Sequence, residues 1–347
     1  MKKVLVIFGG CSTEYEVSLT SAAAVLAVLD RSRYEVLYMG ITREGQVFYY
    51  EGKEEKIEKD TWQEADCYPA TISMTRGIPT LWVEREGRLD KLNFDIAFPI
   101  LHGKCGEDGT LQGLLEMAGI PLAGCGMESS VIGMDKVLAH TLVSLAGIRV
   151  PKSVSINSLA EYDKKQDEIE TLGLPLFVKP VRAGSSFGIS RVVKWEDMES
   201  AVKEAFSHDK TVVIEESING FEVGCAVMGN EELILGRVDE IELSQGFFDY
   251  EEKYTLKTSA IHMPARITQE EEQQIRETAA KIYRTLGCRG FTRVDMFFTD
   301  EKEIVFNEVN TIPGFTSHSR FPNMMKGIGM DFAGVVNKVL ELAVRSG

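Results

Sequence analysis

The sequence predicts an α/β domain on a parallel sheet, followed by smaller units of α+β character. Three observations carry that expectation. Strand-like and helix-like patterns alternate through the first third of the chain, as a parallel sheet with crossover helices requires. Farther on, strand follows strand through turns such as Asn219-Gly220, an antiparallel signal. The 347 residues also exceed the roughly 250 to 300 at which one core stops growing, so two or three domains are expected. Their boundaries fall at residues 1–124, 125–214 and 215–347.

In order, Val4 to Phe8 is an apolar run ending at Gly9-Gly10, a buried first strand entering a turn. It is shorter than the apolar core of a secretory signal, which needs about 7 to 15 residues. Leu19, Ala22, Leu26 and Leu29 share one face of a helix over Val17 to Leu29, and Tyr34 to Ile41 returns as a strand. The charged run Glu51 to Asp60 reads as a solvated surface excursion. Asp95 to Leu101 is a buried run ending at His102 in a glycine-rich turn, and the helix Leu111 to Ala118 stops at Gly119 with Pro121 beyond.

A helix over Met134 to Ala146 ends likewise at Gly147, ahead of Pro151. Strand, helix and strand lead to Lys179. A Gly/Ser loop, Ala183 to Gly188, precedes a strand Ile189 to Val193 and a helix Trp195 to Ser207. Thr211 to Glu216, Glu222 to Met228 and Glu232 to Leu243 read as strands. Ser244 to Pro264 has no periodicity, and its aromatics Phe247, Phe248, Tyr250 and Tyr254 favour a functional lid over disorder. A helix carrying Ile275, Ala279, Ile282 and Leu286, strands Arg293 to Phe298 and Glu303 to Glu308, and a helix from Phe332 complete the chain.

Composition narrows the function. With 38 Lys+Arg against 53 Asp+Glu the net charge is -15, so a phosphate backbone is repelled and general nucleic-acid binding is excluded. A small anion remains open to local lysines and metal ions. No apolar run approaches the ~18 residues of a membrane span. The 6 cysteines show no paired spacing, which suits reduced thiols in a cytoplasm, and none is given a role.

Three features suggest a nucleotide and metal site. Asp295 in one strand, with Glu308 and Asn310 ending the next, could bring three oxygen donors together for Mg²⁺; a hydrogen-bonded carboxylate pair would look the same. Lys179 stands ahead of Gly184-Ser185-Ser186-Phe187-Gly188, where backbone N–H groups could approach phosphate. This is no P-loop, and a lone Gly/Ser loop is more often a turn. Val212 to Glu216 with Ile218 and Glu222 could offer backbone groups to an adenine edge and a carboxylate to ribose.

Joined in order, the motifs resemble those of the D-alanine:D-alanine ligase family, within the ATP-grasp enzymes. They run from Gly9-Gly10-x-x-x-Glu14-x-Glu16-Val17-Ser18 through His102-Gly103-x-x-Gly106-Glu107-Asp108-Gly109-Thr110, Met134-Asp135-Lys136, Val178-Lys179-Pro180, Gly184-Ser185-Ser186 and Glu252-Lys253-Tyr254. They end at Asn307-Glu308-Val309-Asn310-Thr311-x-Pro313-Gly314-Phe315-Thr316-Ser317-His318-Ser319. The resemblance covers essentially the whole chain and implies a three-domain ATP-grasp fold with a Rossmann-like first domain, in a cytoplasmic homodimer.

It also implies a reaction. The carboxylate of a first D-alanine attacks the γ-phosphate of ATP, and the amine of a second D-amino acid then attacks the acyl phosphate. Residue by residue, Glu14 would hold the first ammonium, with Ser185 and Tyr254 in the same hydrogen-bonded group and His102 beside it. Lys136, Lys179, Ser186, Glu215, Glu216, Ile218, Glu222 and Asn307 would contact ATP, and Lys253 the transferring phosphate. Asp295, Glu308 and Asn310 match the ligands of two Mg²⁺ (or Mn²⁺) ions. Arg293 and the Gly314 N–H match oxyanion donors. Two blander readings remain: Glu14 as a helix N-terminal acid, and Arg293 as a surface ion-pair partner.

The acceptor divides the family. Relatives making the D-lactate ester lack the Lys-Tyr pair that stands here as Lys253-Tyr254, which favours an amide product. Ser319 should bind the acceptor carboxylate. Arg320 follows it where D-alanine enzymes carry an apolar residue. With Asp239 and Phe248, Arg320 makes the chain similar to vancomycin-resistance D-alanine:D-serine ligases of the G type. Burying a serine hydroxyl unpartnered costs about 1 to 3 kcal/mol, and a polar network across Asp239 and Arg320 would remove that penalty. A D-alanine acceptor, a non-catalytic ATP-binding protein and an ATP-grasp ligase with another amine acceptor are the rival readings.

Overall fold

The structure is a computed structural model and describes residues 1–184, 187–243 and 259–344. It contains three sheets. In the first, the strand Lys2–Gly9 lies parallel to Tyr34–Ile41 on one side and to Ile96–Ile100 on the other. Its residues Val4 to Phe8 are fully buried because alternate side chains serve opposite faces. Val4, Val6 and Phe8 pack with Leu19, Ala22, Val25 and Leu26 of the helix Tyr15–Val28, whereas Leu5 and Ile7 pack with Leu111 and Leu115 of the helix Thr110–Met117.

The sequence reading covers these parallel strands but not the four antiparallel ones that extend the sheet: Val47–Tyr50, Cys67–Ile72, Thr80–Arg85 and Arg88–Asn93. They are short and half-exposed, so their alternation is weak in the sequence. One local signal was available. Glu86 and Gly87, with φ of 49° and 76°, form the positive-φ turn that a tight hairpin needs. Glu51 to Asp60 is an excursion pinned by the buried Ile57.

The second sheet joins Ser190–Val192, Leu176–Pro180, Val212–Glu216 and Ser153–Ile156 in that order, all antiparallel, and the helix Met198–His208 covers one face. The third orders Ser259–His262, Leu233–Leu243, Gly220–Gly229, Gly290–Thr299 and Ile304–Asn310, again antiparallel. Behind it lies the helix Gln269–Thr285, entered through a Thr268/Glu271 capping box and anchored by Ile275, Ala279, Ile282 and Tyr283.

The helix expected over Met134 to Ala146 is Lys136–Leu145, and a further helix, Met127–Met134, which the sequence reading did not include, stands directly before it. Asp135 breaks them, taking an extended conformation and accepting from Leu138 N at 3.0 Å as the N-cap. The break sets Lys136 at the start of the second helix. The last helix, Phe332–Val344, packs its Val335, Val336 and Val339 into the same core as the first strand, so the chain's two ends share one interior. Among the described residues no helix is long and apolar enough to cross a membrane.

Candidate active site

A cavity of about 640 Å³ opens where loops of the three sheets converge, and Glu14, His102, Lys136, Arg293, Glu308, Asn310, Gly314, Ser319 and Arg320 all line it. Glu14 sits just before the helix Tyr15–Val28 and is buried. Gly103 and Gly184 enclose its carboxylate: a Cβ on either would stand 2.6 or 2.7 Å from Glu14 Oε2. Gly184 is there for space, and Gly103 for space and for its left-handed φ of 71°.

His102 ends the turn after Ile96–Ile100. Its Nδ1 faces the Ile312 carbonyl at 2.9 Å, which makes Nδ1 the protonated nitrogen and leaves Nε2 to accept from Ser21 Oγ at 3.2 Å. Burial depresses its imidazole below the ordinary 6.5, and the Glu14 carboxylate offsets this only in part. Sequence reasoning gave no role to Glu107, which accepts from Gly103 N at 2.8 Å and Ile312 N at 2.9 Å. Glu107 thereby ties the His102 turn to the loop after Ile304–Asn310; its place in the Gly106 to Thr110 motif was the available signal.

Lys136 Nζ donates to the Ala183 carbonyl at 3.1 Å and lies 3.9 Å from Glu308 Oε2. Lys179 stands behind the open cavity, 2.6 Å from Glu215 Oε2. Burial by itself would raise the Glu215 carboxyl, but Lys179, His140 and Lys136 together hold it below its ordinary value. His140 was missed. It comes one turn after Lys136 and faces the Asn307 carbonyl at 2.7 Å through Nε2, with Nδ1 3.5 Å from Glu215 Oε1. It thus bridges the second and third sheets, a role that one histidine in a helix does not advertise. Glu216 accepts from Lys152 N at 2.9 Å, and Ile218 is half-buried just beyond that strand.

Asp295 and Glu308 are register partners on adjacent strands, and Asn310 opposes Arg293. Asn310 Nδ2 donates to Asp295 Oδ2 at 2.8 Å, while Arg293 donates through Nε at 2.8 Å and Nη2 at 2.7 Å. Arg293 is therefore no surface residue. Glu308 and Asn310 line the cavity, and Asp295 is buried behind them. Two carboxylates and an amide oxygen suit a hard divalent cation. Among the described residues no trio of His, Cys, Asp or Glu side chains forms a candidate metal cluster.

At the other end Arg320 opens the helix Arg320–Lys326 and is held flat by carboxylates. Its Nε and Nη2 each donate to Asp239 at 2.8 Å, and Nη1 donates to Glu222 at 3.0 Å. Burial works against the guanidinium, but Asp239, Asp295 and Glu222 outweigh it and raise its pKa well above the ordinary value. Glu222, expected at the ribose, thus engages Arg320. Beside it the Ser319 hydroxyl lies 2.9 Å from Thr316 Oγ1. Ser185, Ser186, Phe248, Lys253 and Tyr254 lie outside the described residues.

Comparison with known proteins places the chain in a family. Residues 3–125 match the family model "D-ala D-ala ligase N-terminus" and residues 142–341 match "D-ala D-ala ligase C-terminus". The chain belongs to the D-alanine:D-alanine ligase family. Like other members, it is an ATP-dependent ligase that forms a peptide bond on an ATP-grasp fold. Vancomycin B-type resistance protein VanB of Enterococcus faecalis is 44% identical, over 99% of this chain and 98% of that one. A D-alanine–D-alanine ligase of Caldicellulosiruptor bescii is 41% identical over 99% and 95%. Among solved structures, the VanG D-Ala:D-Ser ligase from Enterococcus faecalis superposes with a TM-score of 0.91 at 56% identity, covering 99% of both chains.

Proposed function

We propose that this ligase joins D-alanine to D-serine, making D-alanyl-D-serine for peptidoglycan precursors of the vancomycin-resistance type. The observation that carries the reading is the buried Arg320, held by Asp239 and Glu222 next to Ser319. An acceptor wall made of a guanidinium and carboxylates suits a hydroxyl, which would be stranded in an apolar pocket, and such a wall loses affinity for an acceptor that cannot complete its hydrogen bonds. Likeness to a structure named as a D-Ala:D-Ser ligase supports the same reading.

In the mechanism we infer, Glu14 binds the ammonium of the first D-alanine between Gly103 and Gly184. His102, kept neutral by burial, braces that subsite against Ile312. Lys136 and Lys179 hold the phosphates of ATP while Glu215, Glu216, Ile218 and Asn307 surround the nucleoside, Glu222 being engaged by Arg320. Lys253, Ser185, Ser186 and Tyr254 act at the transferring phosphate and the first substrate, and Phe248 at the acceptor. Asp295, Glu308 and Asn310 would hold two Mg²⁺ ions, whose charge supports phosphoryl transfer. The carboxylate of the first D-alanine takes the γ-phosphate, giving D-alanyl phosphate and ADP. The D-serine amine then attacks the carbonyl, Arg293 and the Gly314 N–H meet the developing oxyanion, and phosphate leaves.

Mass spectrometry of products formed from ATP, Mg²⁺ and D-alanine, with and without equal D-serine, tests the reading. A dominant mixed dipeptide is expected. Dominant D-alanyl-D-alanine in both mixtures would assign the D-alanine acceptor instead, and no dipeptide at all would remove the catalytic assignment. Family membership further supports a cytoplasmic homodimer, which light scattering at the monomer mass would overturn.

A further inference from the structure

Four positions stand in one row across the third sheet: Asp239, Gly224, Asp295 and Glu308. Residues opposite one another on paired strands share a face, so the row carries three carboxylates with a bare Cα between the first two. Arg320 lies over that gap. It is bound to Asp239 on one side, and its Nη1 lies 3.4 Å from Asp295 Oδ1 on the other. Glu222, two residues before Gly224 and therefore on the same face, accepts from the same nitrogen at 3.0 Å.

Gly224 is what makes the place. A Cβ there would stand 2.4 Å from Arg320 Nη2 and 2.8 Å from Asp239 Oδ1, well inside van der Waals contact. Its backbone is not left-handed, so the requirement is for space rather than for an unusual φ. Its own N–H donates to Asp239 Oδ1 at 3.1 Å, aiming that carboxylate at the guanidinium.

We propose that Gly224 is a positioning residue for acceptor selection: its missing side chain opens the slot in which Arg320 lies between Asp239 and Asp295. A guanidinium bonds a carboxylate through two parallel N–H groups only when both planes are free to align. A methyl group in the slot pushes Arg320 off Asp239 and disorders the polar wall beside Ser319. The favoured acceptor rests on the D-serine reading; the coupling between positions 224 and 320 does not.

Steady-state kinetics on Gly224→Ala, Arg320→Leu and the double variant test this, with D-serine and D-alanine as acceptors. Gly224→Ala is expected to lower the D-serine to D-alanine ratio of kcat/KM about tenfold, through acceptor KM, with the KM for ATP unchanged. On the Arg320→Leu background the same substitution should change the ratio much less, because the closest clash is gone and only the contacts to Asp239 and Met324 remain. An unchanged ratio in folded Gly224→Ala, or equal changes on both backgrounds, overturns the slot. Should Gly224→Ala fail to fold while the double variant folds, the clash with Arg320 is established; if both fail, the proposal falls. A wild type that prefers D-alanine removes the D-serine reading alone, and the slot is then judged by the coupling of the two substitutions in acceptor KM.

Discussion

On one side of the cavity, Lys179, Glu215 and His140 form a buried ion cluster; on the other, Arg320, Asp239, Glu222 and Asp295 form another. The two are equally deep but not equally satisfied. Glu215 Oε1 and His140 Nδ1 have no hydrogen-bond partner among the described residues. Arg320 makes three bonds of 2.8 to 3.0 Å. A closely paired network fixes one shape and resists change, whereas a less fully paired one keeps charge in reserve for a ligand that arrives with its own. Under the proposed function, the difference is that between a wall that selects and a floor that binds.

Four experiments break or sharpen that contrast. The largest expected effect is on stability. Asp239→Ala leaves a buried guanidinium short of its main counter-ion and should cost about 3 kcal/mol in denaturant titration, with Arg320→Leu on top restoring most of it. A loss under about 1 kcal/mol would mean the cluster is solvent-screened and not the closed wall described. Glu308→Gln should instead leave the circular dichroism unchanged while ligation drops about 10²-fold or more. Near-normal turnover would end its assignment as a metal ligand.

Arg320→Leu comes next, with an expected shift of about tenfold in the kcat/KM ratio from D-serine toward D-alanine. An unchanged ratio would reduce the closed cluster to structural duty. The smallest effect is a slope. Because burial holds the His102 imidazole below 6.5, the unfolded chain takes up its proton first as the pH falls. The stability from neutral His102 is therefore complete above 6.5 and lost as the pH drops toward the folded value. His102→Gln should flatten that part of a stability-against-pH curve, and an identical curve would show that His102 does not titrate with folding.

Much of the site could be read in the sequence, because it is written in runs. Glu14, His102, Lys136, Glu308, Asn310 and Ser319 each sit in a segment whose neighbours are informative, and all six line one cavity. His140 and Gly224 could not be read in the same way. Each acts by filling or leaving space between elements distant in the chain, and the residue type alone says nothing about that. The split at Asp135 and the antiparallel strands between residues 47 and 93 were lost for a local reason: a one-residue cap and short, half-exposed strands leave little periodic signal.

Residue type and spacing determined the succession of elements, the charged groups available for chemistry and the family they belong to, since each depends on neighbours along the chain. Tertiary structure decided which charges meet. Arg320 finds Asp239 81 residues away and Glu222 98 residues away only because the strand register sets them on one face around a glycine. Register is a property of paired strands, and no single strand carries it.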